Sequence, residues 1–450
     1  MHLRPKAVLV CVTLFTLVNS GCCWRDTPVC KTCPPYVSQM EPLAVSVKPE
    51  DAGVTTQFDA LPDYESARQS LLSQVAADGT ISISLQEVIC LAAKNSELAE
   101  VIEQERHLLK CRLDQQSDSD DCGSSSCSCS CPKEQGRGID IVLQGEALER
   151  RNLAAGAAAQ AFLGLAQVSL QLALIDESRD RLAELEKTVE KAGEAGFATA
   201  KGQNSIEKGR LQIDRMESQL SAAQQQLTYQ LNLLINAGEQ EVVIFKPVHD
   251  INPEKVDLDV LEETSLAESN RPGIVAAESV INSQCDGEGL YRLLSLFDAQ
   301  IGQQLKAKPV KKLLLRRQLI ELLKAAEQPD ATLGERQSQA QSIVNLRKRE
   351  ARLSAAKAML DMQTAFEKLA IVHADIMRLE KRADVIEASQ KIDARDSYLR
   401  LNENWVELQQ ARSERIEAAI EFEIAQIKLH QAQGLLAQSC GYSLVSTGCN

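Results

Sequence analysis

The chain has 450 residues, 44% of them hydrophobic and 25% charged, with only 4% aromatic. Its 49 Lys and Arg against 63 Asp and Glu leave a net charge of −14, which argues against nucleic acid as a partner, because phosphate binding draws on clustered Lys and Arg. The length allows about two or three domains, and the Ala, Leu, Gln, Glu, Lys and Arg that dominate two long stretches are the composition of coiled coils.

The N-terminus reads as an export signal. Arg4 and Lys6 precede Ala7–Val18, an apolar run of 12 residues. A helix needs about 20 residues to cross a bilayer, so this run is too short and matches a signal-peptide core. Asn19-Ser20-Gly21-Cys22 follows. It resembles a bacterial lipoprotein cleavage site, with Cys22 as the lipidated first residue and Asn19 where an aliphatic residue is usual. Ordinary secretion, with Cys22 in a disulfide, is the alternative. No other run reads as a membrane-spanning helix. Residues 22–80 read as an extended tail, broken by Pro28, Pro34, Pro35, Pro42, Pro49 and Pro62, which suits a tether or a chain wrapped around a bundle.

Cysteine is abundant, with 14 residues in all. Cys30 and Cys33 form a Cys-x-x-Cys pair in the tail, and Cys122, Cys127, Cys129 and Cys131 sit in a Ser/Asp-rich stretch. In an exported chain such residues pair as disulfides. A zinc site would need a second ligand pair at fixed spacing, and thiol exchange a βαβ unit; the sequence shows neither. Soft-metal binding by the alternating Cys-Ser tract is the alternative. The five histidines stand apart, and no nucleophile motif or phosphate loop appears, so no catalysis, cofactor or metal centre is expected.

Helix begins near Ser84. Ser84 with Glu87 three residues on is a capping-box signature, and Leu85, Val88, Ile89, Ala92 and Leu98 keep helical spacing. A polar insertion at 111–144 follows, with Ile139–Leu143 its one strand-like piece. The first long helix runs from about Gly145 to Lys191, with Ala161, Val168, Ile175, Leu182 and Val189 seven residues apart. Gly193 and Gly196 mark a turn. The partner helix returns to Ala237 with Ile206, Ile213, Leu220, Leu227 and Leu234, again seven apart. Such spacing is a coiled-coil seam. Val242–Phe245 reads as a short strand, and a new helix starts near Ser265 or just after Pro272. Residues 286–337 form a basic helical insertion, with Lys306, Lys308, Lys311, Lys312, Arg316 and Arg317 around its leucines. It reads as a solvated face or as a helix lying on a membrane surface. The second hairpin, 338–440, uses Leu346, Leu353, Leu360, Leu369 and Ile376 outbound and Leu401, Leu408, Phe422 and Leu429 on return, around a turn near 391–396.

The division expected is therefore a signal peptide at 1–21, a tail at 22–80, a first repeat at 81–285, the basic insertion at 286–337 and a second hairpin at 338–440. The fold class is all-α dominated, two repeated long antiparallel helical hairpins.

With these elements in place, the chain resembles the TolC-type outer-membrane efflux family, lipoprotein branch. Leu85, Glu87, Asn95 and Leu98 match its opening helix, with Val88 and Ser96 replacing the usual Ala and Pro. Gly193, Gly196, Phe197 and Thr199 are similar to the hairpin tip that meets a periplasmic adaptor. Arg271, Pro272 and Glu278 resemble the box that opens the second repeat, with Gly273 in place of an acid. The resemblance covers about 81–440. It implies a homotrimer whose hairpins form a periplasmic tunnel, held in the outer membrane, conducting exported compounds from an inner-membrane pump and its adaptor. It also implies membrane strands in the two insertions, yet neither shows the alternation and aromatic girdles of such strands. A non-conducting lipoprotein scaffold of the cell envelope is the alternative.

Overall fold

The structure, a computed structural model, describes residues 80–119, 132–194, 200–235, 244–248, 251, 253–256, 258–282, 333–390 and 397–444. Each half of the chain reads in the same order. The first half is β1 (Thr80–Ser84), α1 (Leu85–Lys94), α2 (Glu97–Ser119), α3 (Pro132–Glu194) and α4 (Ala200–Ile235). The second is β2 (Ile244–Val248), α5 (Val260–Asn270), α6 (Pro272–Asn282), α7 (Leu333–Gln390) and α8 (Ser397–Ala432), closed by a short α9 (Leu435–Gln438). The duplication is thus a repeat of strand, two helices and a long hairpin.

The strands join the halves. β1 runs parallel to β2, with Ile81 opposite Phe245 and Ile83 opposite Pro247. Ile81, Ile83 and Phe245 are buried while Ser82 and Ile244 face out, the period-two pattern of a strand with one covered face. Pro247 is tolerated because a two-stranded sheet is all edge. The sequence reading found the second strand but not the first. β1 leads directly into α1, where Ser84 and Glu87 form the expected capping box: the Glu87 amide donates to Ser84 Oγ at 3.3 Å and the Ser84 amide donates to Glu87 Oε2 at 2.7 Å.

The long helices lie side by side in the order α4, α3, α8, α7, each packed on the next. α3 has 63 residues, which at 1.5 Å per residue is about 95 Å. Its expected seam is the packed one, with Ala161, Val168, Ile175, Leu182 and Val189 all buried. Leu182 and Val189 meet Ile206 and Ile213 of α4. On α8, Leu408, Phe422 and Leu429 are buried as the spacing requires. By length and composition α3 is apolar enough to cross a membrane, against the expectation that no run beyond the N-terminal one is; half of its most apolar window is buried inside the molecule, as in the core helix of a packed bundle.

The starts of the long helices differ from expectation. α2 continues to Ser119 and α3 begins at Pro132, so Ile139–Leu143 is helix and not strand. Proline at the first helical position explains the early start, since its missing N–H would have no partner there. α2 then folds back along α3, and Arg106 Nε donates to Asp140 at 2.6 Å across the pair. The new helix of the second half is two helices, α5 and α6, broken at Arg271-Pro272 because the residue before proline leaves helical geometry.

A disulfide closes the upper end. Cys90 on α1 is bonded to Cys440 beyond α9, with Cα atoms 5.2 Å apart and a sequence separation of 350. Replacing Cys90 and Cys440 together by serine is expected to lower the unfolding free energy by about 2–5 kcal/mol. Denaturant titration of the mature protein measures this, and an unchanged midpoint would contradict the assignment of the bond as a structural clamp.

Candidate functional site

α7 is apolar on two opposite faces. Towards α8 and α6 it presents Val344, Ala351, Ala355, Ala358, Met362 and Ala365, all buried. These small residues let the helices approach closely. The outbound seam expected from the leucines is on the other side: Leu346, Leu353 and Leu360 are 49%, 70% and 62% exposed. Ile371 and Val385 continue the same stripe, also exposed. At about 100° per residue these five fall within one narrow arc opposite the alanine face. The spacing of seven was right and its direction was not, because alanines supply the seam inside the chain. Leu369 and Ile376 do face inward.

α4, at the other end of the row, is also two-faced. Ile206, Leu231 and Ile235 are buried against its neighbours. Leu211, Tyr229 and Leu233 stand on the opposite side, 61%, 58% and 65% exposed. The row of four helices therefore ends in two apolar faces that none of the described residues covers.

A line of ion pairs crosses the row at one height. Glu217 of α4 meets Arg179 of α3 at 2.6 Å, Glu177 of α3 meets Arg412 of α8 at 2.8 Å, and Arg412 reaches Glu380 of α7 at 3.8 Å. Each pair is exposed and contributes little stability. Their value is as a ruler, since they set which residues of α4 and α7 share a level. Near this level an apolar groove of about 370 Å³ runs between α4 and α8 with α3 as its floor, lined by Leu174, Ile175, Gly209, Met216, Trp405 and Val406 among others.

The family-like residues cluster at the upper end. Leu85 is partly buried and packs on the main core. Asn95 ends α1, and its Nδ2 donates to the Ile235 carbonyl at the end of α4. Leu98 is exposed on α2, not packed in the core as its helical spacing suggested. Arg271 lies between α5 and α6 and holds Glu149 of α3, Nε to Oε1 at 2.9 Å. Pro272 is buried at the first position of α6, and Glu278 pairs with Lys348 of α7 at 2.6 Å. Gly434, at φ 75, touches the same corner: an added Cβ would stand 2.6 Å from Pro272 Cδ.

Sequence reasoning missed the side chains that tie these parts together. Arg151, buried on α3, donates from Nη1 to the carbonyls of Ala93 at 2.8 Å and Lys94 at 3.1 Å, and its guanidinium lies 4.4 Å from the Tyr442 ring centre. It caps the C-terminus of α1, where positive charge is favoured. Burial pushes the Tyr442 hydroxyl up, with Arg151 opposing. Asn152 Nδ2 donates to the Gln431 carbonyl at 2.8 Å and its Oδ1 accepts from the Leu436 amide at 3.2 Å, bridging α8 and α9. A polar pair inside an alanine-rich helix was the signal that marked them.

At the hairpin tip, Gly193 lies within α3 and is exposed, so the helix runs through it. Gly196, Phe197 and Thr199 lie outside the described residues, as do Cys22, the Cys30 and Cys33 pair, the Cys-Ser tract from Cys122 to Cys131, the basic stretch 286–332 and the turn at 391–396. Among the described residues no group of His, Cys, Asp and Glu could hold a metal ion.

Neither a protein-family model nor a curated protein sequence matches this chain. Solved structures do match. The CusC channel aligns over 89% of this chain and 99% of its own, at TM-score 0.54 and 13% identity. The outer-membrane channel CmeC of Campylobacter jejuni aligns over 80% and 87%, at TM-score 0.52 and 11% identity. The outer-membrane channel OprN aligns over 81% and 92%, with the same score and identity. The fold is the TolC-type fold of outer-membrane efflux channels.

Arg151→Met is expected to leave two buried carbonyls uncapped and to cost about 2–4 kcal/mol; chemical denaturation measures it, and a change within about 0.5 kcal/mol would contradict the capping role. Burial lowers the pKa of His430 on α8. The folded chain then binds that proton less readily than the unfolded one, so stability is full above about pH 6.5 and falls as pH drops through that value. The denaturation midpoint is expected to decline between about pH 7.5 and 5.5, and His430→Gln to flatten the decline. Equal slopes for the two proteins would contradict it.

Proposed function

We propose that this chain is a subunit of a TolC-like outer-membrane efflux protein, a periplasmic trimeric helical conduit that passes exported compounds from an inner-membrane pump and its adaptor. The observation that carries this reading is the pair of apolar faces on α7 and α4 that none of the described residues covers. They are different surfaces at opposite ends of one row, so copies associate head to tail, and such contacts close into rings. Neighbours in the row run antiparallel, and an α7-to-α4 contact between copies continues that alternation. Three copies give a wall of twelve helices, four from each.

In this reading the component conducts and catalyses nothing. The groove between α4 and α8 lies towards the hairpin tips and offers Trp405, Val406 and Met216 to a helix of the adaptor. Gly193, Gly196, Phe197 and Thr199 form the tip it meets. Cys22 carries lipid into the outer membrane, and the Cys90–Cys440 disulfide accords with an oxidising compartment.

One observation favours a second reading. Where the resemblance implies membrane strands, the first insertion supplies helix on both sides, α2 to Ser119 and α3 from Pro132. A lipid-held, non-conducting coiled-coil scaffold of the envelope has no need of strands. Full release from membranes on Cys22→Ala favours the scaffold, and retention favours an inserted barrel.

The assembly is tested by charge on the stripe. Leu353→Glu with Leu360→Glu leaves the alanine seam untouched, since both side chains are exposed. Sedimentation in mild detergent is expected to show trimers for the natural chain and monomers for the double variant. A natural chain that sediments as a monomer or dimer overturns the conduit.

A further inference from the structure

The α7 stripe is not a uniform surface. A cleft of about 830 Å³ opens beside Leu360, between Val256 and the first residue of α5, Val260, on one side and Met359, Met362 and Phe366 of α7 on the other. Val256 and Val260 are exposed, so the apolar surface continues from the stripe across the cleft mouth. Among the described residues nothing fills it.

The ion-pair line shows what stands at its height. On α7, Met359–Phe366 lie 14–21 residues from Glu380 towards the N-terminus, about 21–32 Å at the helical rise. On α4, Tyr229 and Leu233 lie 12 and 16 residues from Glu217 towards the C-terminus, about 18–24 Å. The directions agree, because α4 is antiparallel to α3, α3 to α8 and α8 to α7. Arg210–Glu186, Asn152–Gln431 and Lys368–Glu421 fix these three orientations together with the line itself. On the other side of the line, Val385 is 5 residues below Glu380 and Leu211 is 6 below Glu217. The two end faces therefore carry apolar side chains at matching heights in two places.

A closed ring has no rise between copies, so heights within one chain hold from chain to chain. We propose that the cleft beside Leu360 receives Tyr229 and Leu233 from α4 of the neighbouring copy, with Leu211 of that copy on Val385. This deepens the ring reading and rests on it. A cleft faced by Met359, Met362 and Phe366 suits an aromatic ring, since methionine adapts its shape and its sulfur favours ring edges. Tyr229 keeps its hydroxyl at the rim, on the side where Gln225 and Gln226 stand one turn back on its own helix, and such rigid aromatic anchors dominate interface energy.

The test places a benzophenone amino acid at position 229 of the full chain in mild detergent. Illumination is expected to join it to the 356–370 or 253–260 segment of a second chain, as read by peptide mass spectrometry. A product elsewhere in an intact ring, or no product between chains, overturns the seating and leaves the ring standing. In parallel, Tyr229→Ala with Leu233→Ala is expected to raise the protein concentration needed for half assembly by about tenfold or more. Both side chains are exposed in one chain, so the subunit keeps its fold. An unmoved concentration overturns the seating alone, and a natural chain that never assembles overturns the ring with it.

Discussion

The packing of α3 between α4 and α8, over the stretch from Ala161 to Val189, is the contact on which the rest of the molecule depends. A helix of this length has no stability of its own in proportion to its reach; it is held by an apolar face that neighbours cover. Ala161, Val168, Ile175, Leu182 and Val189 keep one line down α3, and burying that line fixes α4 beside it. α8 settles on another side and brings α7 with it. The result is an open row, and an open row of two-faced helices ends in two surfaces that water covers poorly. The tendency to assemble therefore arises from the same periodicity that builds the subunit.

The upper end has the opposite character. There the packing is short-range and buried polar residues bridge the elements, although Gln86 Oε1, Glu149 Oε2 and Arg151 Nε find no hydrogen-bond partner among the described residues. Arg151 caps α1, Asn152 bridges α8 and α9, and Gln433 reaches Glu263 of α5. The disulfide joins α1 to the far end of the chain. The parallel strands add one more link between halves. This end holds the two hairpins in a fixed relation, and the long helices can then be simple, because alignment is settled where they begin.

Much of this was legible in the residues. The seven-residue spacing on α3 and α4, the capping box at Ser84 and Glu87 and the duplicated hairpin gave the fold class. The Leu346, Leu353 and Leu360 line was also visible, but its partner was not. Periodicity says that a face is apolar; it does not say whether the covering helix belongs to the same chain. Alanines at Ala351, Ala355 and Ala358 look like helix formers in sequence and turn out to be the inner seam. Ile139–Leu143 looked like a strand because five residues cannot distinguish a buried helix from a strand. The Cys90–Cys440 pair was out of reach because a separation of 350 positions leaves no local trace.

The most direct test is a cross-section of the purified, membrane-extracted protein by electron microscopy, classified along its long axis. Three-fold symmetry with twelve helices around an open axis, and α7 of each copy beside α4 of the next, is the result expected. A lone row of four helices, or two rows pressed face to face with no central opening, would contradict the closed conduit.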